Sequence, residues 1–345
     1  MVVVPYVCAR RVEQGCGKGR GGAAALALSQ KAPPILSSSP TSSLPWPLSL
    51  LFSTETPSTW TIHENLFLAA LRTGDDDSAR KILDRLTTRF GTQNERLITL
   101  RGIYEESQAK TDKELEQVFD NYEQILRENP TNFGIRKRRV AIVKSLGRTN
   151  DAITALTVLL ENSPTDAEAW AELADLYAGI GEYARAIYSL EEVLLIVPNA
   201  WSAHAQIATY YYLLSQSPEQ TSPLPSLALA LRHFSRALEL NTSYLRGFYG
   251  LKIVAKALLP ILSSSSTTTP STSSSRRNKT DSEDSGDLPP PSLATVQKLD
   301  ALATEKLAEI VRNYAAAKSG WTGYEEAEVI AARELLDREG AKIER

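Results

Sequence analysis

Between residues 60 and 260, large apolar residues return every three or four positions, the period of one face of an α-helix, and short polar turns interrupt them at regular intervals. The pattern predicts pairs of short helices. Residues 60–91 read as a degenerate first pair, with Gly74 at the turn and Ala79, Leu83 and Leu86 on the second helix. A second pair spans 94–130: Leu97, Leu100 and Tyr104 mark its first helix, and Val118, Tyr122, Ile125 and Pro130 its second. Its turn, near Gln108–Lys113, is expected to be about five residues longer than the standard one. A third pair, 133–164, carries Val140, Val143, Gly147, Ala152, Leu156, Leu159 and Pro164 in register with the fourth, 167–198. The fifth starts at Trp201 with Ile207, Ala208 and Tyr211 in phase. An insertion at 215–226 then precedes Ala230, Phe234 and Ala237. A sixth starts at Tyr244, and its second helix resumes at about 292–317. A last amphipathic helix at 324–338 covers the end that stacking would otherwise leave open.

Particular residues sharpen this pattern. Pro130, Pro164 and Pro198 stand 34 residues apart. The fourth unit contains Trp170, Leu173, Ala174, Tyr177, Gly181, Tyr183, Ala186 and Pro198. Trp170, Leu173 and Tyr177 share one helical face, and Trp170 is expected to be buried. Ala174 and Ala186 let two helices approach. Gly181 takes the turn, and Pro198 stops the second helix. This is the tetratricopeptide (TPR) pattern, so the expected fold is an all-α helix-turn-helix solenoid wound as a right-handed superhelix.

The flanks differ in composition. Residues 1–58 cluster Gly, Ser, Pro and Ala, with Arg10, Arg11, Lys18, Arg20 and Lys31 against only Glu13 and Glu55. The balance suits a mitochondrial transit peptide, but repeated prolines break any amphipathic helix, and Val2–Val4 is too short for a signal-peptide core. A disordered tail, or a start codon placed too early, is the expectation. Residues 261–292 enclose the Ser/Thr-rich run 263–291, expected as a disordered loop, and 293–340 complete and cap the array that occupies 60–260. The sequon at Asn278 is expected to be unused, because no signal peptide accompanies it. Cys8 and Cys16 both lie in the tail, leaving the repeats without thiolates and suiting a reducing compartment. No apolar run reaches bilayer-spanning length. A net charge of −3 argues against a nucleic-acid partner.

Candidate chemistry is sparse. Asp75, Asp76 and Asp77 stand where a helix begins, and capping explains them better than calcium, whose loops alternate their ligands. His63, His204 and His233 have no nucleophile or carboxylate at catalytic spacing, and no phosphate loop or hydrolase motif is present. Neither catalysis, nor a cofactor, nor a metal, nor a small-molecule substrate is expected. The sharpest charge feature is Arg136–Lys137–Arg138–Arg139. Counting positions of the first TPR helix that face the concave side places Lys137, Arg138 and Lys144 on a partner-binding groove. Glu172 and Asp175 follow, then Gln206, Thr209 and Tyr212. Such a groove suits a shaped protein partner carrying charges of both signs.

The blocks PTNFGIRKRR (130–139) and EAWAELADLY (168–177), with Ala237–Asn241 and Arg246–Leu251, resemble subunit 2 of the endoplasmic reticulum membrane protein complex over roughly 60–260. The resemblance implies a non-catalytic scaffold, peripheral on the cytosolic face of the endoplasmic reticulum. Such a scaffold holds cytosolic segments of integral subunits and a soluble subunit while the assembly inserts tail-anchored and multipass membrane proteins. The alternative is a TPR adaptor for the C-terminal peptides of cytosolic heat-shock chaperones. Lys137 fits that clamp, but Ala141 stands where it needs Asn. On the groove reading, reversing the charge of Lys137 and Arg138 together releases the partner and leaves melting unchanged.

Overall fold

The computed structural model describes residues 20–37, 57–218, 222–266, 290–321, 323–338 and 340. Among these, the regular elements are all helical: α1 (Arg20–Ser29), α2 (Ala32–Ser37), α3 (Pro57–Thr73), α4 (Asp76–Phe90), α5 (Glu95–Gln108), α6 (Asp112–Glu128), α7 (Phe133–Ser145), α8 (Thr149–Asn162), α9 (Ala167–Gly179), α10 (Tyr183–Ile196), α11 (Trp201–Ser215), α12 (Leu224–Leu240), α13 (Leu245–Ser266), α14 (Leu293–Ala315) and α15 (Glu326–Arg338). In chain order α3 to α14 make six successive helix–turn–helix units, the TPR-like repeat that the periodicity predicts. The chain divides into two compact units, Met1–Leu159 and Leu160–Arg345, with the division inside α8.

In the first unit, α3 packs on α4, α4 on α5, and α7 on both α5 and α6. One apolar cluster joins Phe67, Ala70, Ile82, Leu86, Leu97 and Leu100. A second, smaller one joins Val118, Tyr122, Ile135 and Ile142. Side-chain caps set several helix starts. Asp75 accepts from the Ser78 amide and Asn132 from Ile135, while Thr111 and Glu114 close a reciprocal capping box on α6. The Asp75–Asp77 run is therefore a helix start, with Asp76 and Asp77 in the first turn where the helix dipole favours them.

In three places the helices begin or end elsewhere than the periodicity predicts. Residues 20–29 and 32–37, which lie in the tail expected to be disordered, are helical. α1 lies on α3, Ala32 is fully buried, and Thr73 donates a 3.0 Å bond to Ser29. The run GGAAALALS has few polar groups that compete with helical bonding, and packing on α3 supplies what a helix this short lacks alone. The turn of the second pair is not long, since only residues 109–111 separate α5 from α6, and the extra length goes into the 17-residue α6. Finally, α13 does not stop near Pro260. It runs through that proline to Ser266, and Ser263 and Ser264 donate to the carbonyls of Pro260 and Ile261. The rest of the expected loop lies outside the described residues.

In the second unit each helix packs on the next, from α9 to α15. A single large apolar cluster runs from Ala205 through Phe234, Leu251 and Leu307 to Leu336. Ala174, Leu190 and Ile207 anchor a neighbouring cluster, against which Trp170 packs half-buried. Trp170 is thus not fully enclosed as expected. Its indole N–H donates to the Pro164 carbonyl at 2.9 Å, and keeping that polar edge at the turn holds the ring near the surface. Leu173, Ala174 and Ala186 are buried, Tyr177 is half-buried, and Gly181 turns the chain at φ 83°, where a side chain would be strained. Between α11 and α12 the connection is residues 216–223. Pro223 precedes α12 and Pro225 sits in its first turn, where a missing N–H costs nothing. The end helix α15 docks through Arg246, which donates to Glu328 at 2.7 Å, and through the Tyr324 hydroxyl, which donates to the Ser243 carbonyl at 2.9 Å.

Candidate partner-binding surface

The basic run at the start of α7 serves mostly to join helices. Arg138 is 4% exposed. Its guanidinium grips the buried Glu106 of α5 with two nitrogens, Nε at 2.8 Å, and the Tyr122 hydroxyl of α6 donates to the same carboxylate at 2.7 Å. Burial works against the Arg138 cation, but Glu106 and Tyr122 more than offset it and hold its pKa above the ordinary value. Burial, then the Glu106 charge, push the Tyr122 phenol well up, so it stays a donor. The triad closes around Gly102, where an added Cβ would meet the Tyr122 hydroxyl oxygen at 2.4 Å. Arg139 pairs with Glu123 of α6 and lies over the Phe119 ring at 5.6 Å. Lys137 reaches back over Phe133 at 5.1 Å.

Arg138 therefore does not belong to a groove, contrary to the positional expectation. The physical reason is Glu106, which stands 32 residues earlier on the preceding first helix and draws the guanidinium inward. The sequence carried a usable signal that the motif count passed over. Arg96–Glu64 and Arg148–Glu116 repeat the same spacing of 32 with the same sign order. Each is a bond from one repeat to the next.

Lys137 and Lys144 are half-buried and seven residues apart, so they share one side of α7. These two remain as the cationic candidates of the first unit. Ala141 between them is buried, leaving no polar group at the position a carboxylate clamp requires. Beside the run, Glu123, Leu126, Pro130, Arg136, Arg139 and Val158 line a shallow cavity of about 200 Å³.

The second unit carries the other candidates. Asp175 is exposed and Glu172 half-buried on α9, and Gln206 and Thr209 are exposed on α11, where Tyr212 is half-buried against the large cluster. Thr209 donates to the Ala205 carbonyl at 2.8 Å, which leaves its oxygen free only to accept. Tyr210, absent from the motif count, ties these helices together. Its hydroxyl lies 3.5 Å from Asp175 and its ring stacks on Tyr183 at 6.1 Å. Burial, then the Asp175 charge, push its phenol up to about 12, so it too is a donor at neutral pH. The other residues the motif count did not assign are His204 and His233, whose Nδ1 atoms lie 3.1 Å apart. Burial, then the His204 ring, lower His233 to about 4, and burial lowers His204 as well.

The inter-repeat corners explain the sequence blocks at 129–132 and 237–243. Asn129 and Asn241 each end a helix, and each side-chain oxygen accepts from both the amide and the hydroxyl two residues on, Thr131 and Ser243. These are Asx turns that aim the next helix.

Residues 91–229 match the family model described as the EMC2 TPR-like repeat domain. ER membrane protein complex subunit 2-A of Xenopus laevis is 37% identical over 194 residues, 56% of this chain and 61% of that protein. TPR repeat protein oca3 of Schizosaccharomyces pombe is 31% identical over 202 residues, 59% of this chain and 68% of that protein. ER membrane protein complex subunit 2 of Saccharomyces cerevisiae is 26% identical over 203 residues, 56% of this chain and 68% of that protein. The chain thus spans about three fifths of the length of the Xenopus relative. It belongs to the EMC2 family of TPR-like repeat proteins.

Proposed function

We propose that this chain is a non-catalytic scaffold subunit of an ER membrane protein complex. In this reading it is peripheral on the cytosolic face, holds cytosolic segments of integral subunits together with a soluble subunit, and supports insertion of tail-anchored and multipass proteins. The observation that carries the reading is kinship with proteins named as subunit 2 of that complex. Two further features agree with it. No helix among the described residues is long and apolar enough to cross a membrane. The first helices of the repeats also offer cationic and anionic side chains separately, Lys137 and Lys144 in one unit and Glu172 and Asp175 in the other. Partners with segments of both signs fit these faces. Nucleic acid does not, because Arg138 and Arg139 of the basic run are paired with Glu106 and Glu123.

The test is affinity purification of the tagged chain from detergent-solubilised membranes, followed by mass spectrometry, for wild type and K137E/K144E. The expected result is a stoichiometric set of integral ER membrane proteins with the wild type. The double variant should recover at least about tenfold less of one or more of them, with helicity and melting unchanged. Recovery of heat-shock chaperones alone, or of matrix proteins, would overturn the proposal.

A further inference from the structure

His204 on α11 and His233 on α12 face each other across one helix pair, with ring centroids 5.3 Å apart and planes tilted by 38°. The Nε2 atom of His204 lies 3.4 Å from the Pro198 carbonyl. A carbonyl only accepts, so Nε2 carries the proton and Nδ1 turns a lone pair toward His233. Metal-binding imidazoles are oriented in the same way, by a carbonyl or carboxylate on the far nitrogen. Two imidazole nitrogens in a tetrahedral zinc shell, each at about 2.0–2.1 Å from the ion, stand about 3.3 Å apart. The two Nδ1 atoms stand at 3.1 Å.

We propose that His204 and His233 form a two-histidine site for a borderline divalent transition cation of the zinc class, with water completing the coordination shell. Binding requires His233 to carry its remaining proton on Nε2, a change of tautomer in a neutral ring. Imidazole nitrogens select such ions over magnesium and calcium, which prefer oxygen. Among the described residues no group of three or more His, Cys, Asp and Glu side chains gathers around an ion position, so the protein supplies two ligands and the affinity is modest. The surrounding charge is mixed. Arg236 acts against a cation at His204. On the other side, the Tyr211 ring lies 5.9 Å from His233 and its hydroxyl 3.5 Å from Glu191. An ion held here staples α11 to α12 across the 216–223 connection. Because the unfolded chain does not hold the two rings together, the ion favours the folded form.

The experiment is calorimetric titration of the full chain with zinc chloride in metal-depleted buffer. Cys8 and Cys16 are replaced by serine throughout, so that the tail thiols do not compete. The expected result is one equivalent bound with a dissociation constant tighter than about 100 µM, and no heat with magnesium. H204Q and H233Q should each weaken binding by about tenfold or more. H63Q should bind as the parent does, since the His63 ring is engaged by the Thr59 carbonyl and Arg85 in the first unit. Circular dichroism confirms that each variant is folded. Absence of zinc binding by the parent, or binding by H204Q and H233Q as tight as the parent's, would overturn the site and leave the pair as an N–H···N hydrogen bond.

Discussion

The two units build the same helix-pair repeat from different chemistry. In the first, charge pairs add to the apolar contact between successive repeats: Arg96 with Glu64, Arg148 with Glu116, and the buried Arg138 with Glu106 and Tyr122. In the second, the corresponding joints between α9 and α13 are aromatic. Tyr183 stacks on Tyr210, and Trp201 meets Tyr244 edge-on at 4.7 Å. The second unit does bury a cation, Lys252, whose Nζ lies 2.9 Å from Asp300, but that pair joins the two helices of one repeat. The core differs in the same sense: among the described residues the first unit has two separate apolar clusters, whereas one large cluster extends over the five helices α11 to α15 of the second. A repeat joined by apolar contact gains from burying area wherever shapes fit. One joined by a buried ion pair depends on a few atoms and fails sharply if one is removed.

That contrast can be broken or sharpened by substitution. Removing one buried charge in the first unit, by Glu106→Ala, should cost about 3–5 kcal/mol, because Arg138 is then left buried without its anion. Replacing the pair together, as E106L/R138M, should recover most of that loss in urea denaturation. In the second unit Phe234→Ala, at the centre of the large cluster, should cost a similar 3–5 kcal/mol by opening a cavity, and no second substitution of charge would restore it. Trp170→Ala, a half-buried ring, should cost less, about 1–3 kcal/mol rather than the loss expected of an enclosed aromatic. The smallest effect is expected at the exposed Arg148–Glu116 pair, where Arg148→Ala should change stability by less than about 1 kcal/mol and added salt should erase the difference.

Much of this architecture was legible in the residues. Helix periodicity, the recurring prolines and the small residues Ala174 and Ala186 gave the helix pairs and their register, because they report local geometry and close packing. The resemblance of the 130–139 and 168–177 blocks pointed to the right family. Less legible was anything that depends on which side chain answers which. Arg138 occupies a position that counting assigns to the groove, and only its partner on the preceding repeat decides that it is buried. Tyr210 and the pairing of His204 with His233 were missed for the same reason, as contacts between helices rather than properties of one. Helix extent was overruled by packing at both ends. Ala-rich 20–29 becomes ordered on α3, and α13 continues through Pro260.

Arg138, at the heart of the basic run, is buried against Glu106 of the preceding repeat and holds the two repeats together. A double-mutant cycle on Glu106 and Arg138 in urea denaturation, using Glu106→Leu, Arg138→Met and both together, tests it directly. The expected coupling energy between the two sites is about 2 kcal/mol or more. A coupling below about 0.5 kcal/mol, with stability unaffected by Arg138→Met, would contradict it and return Arg138 to the partner-binding face.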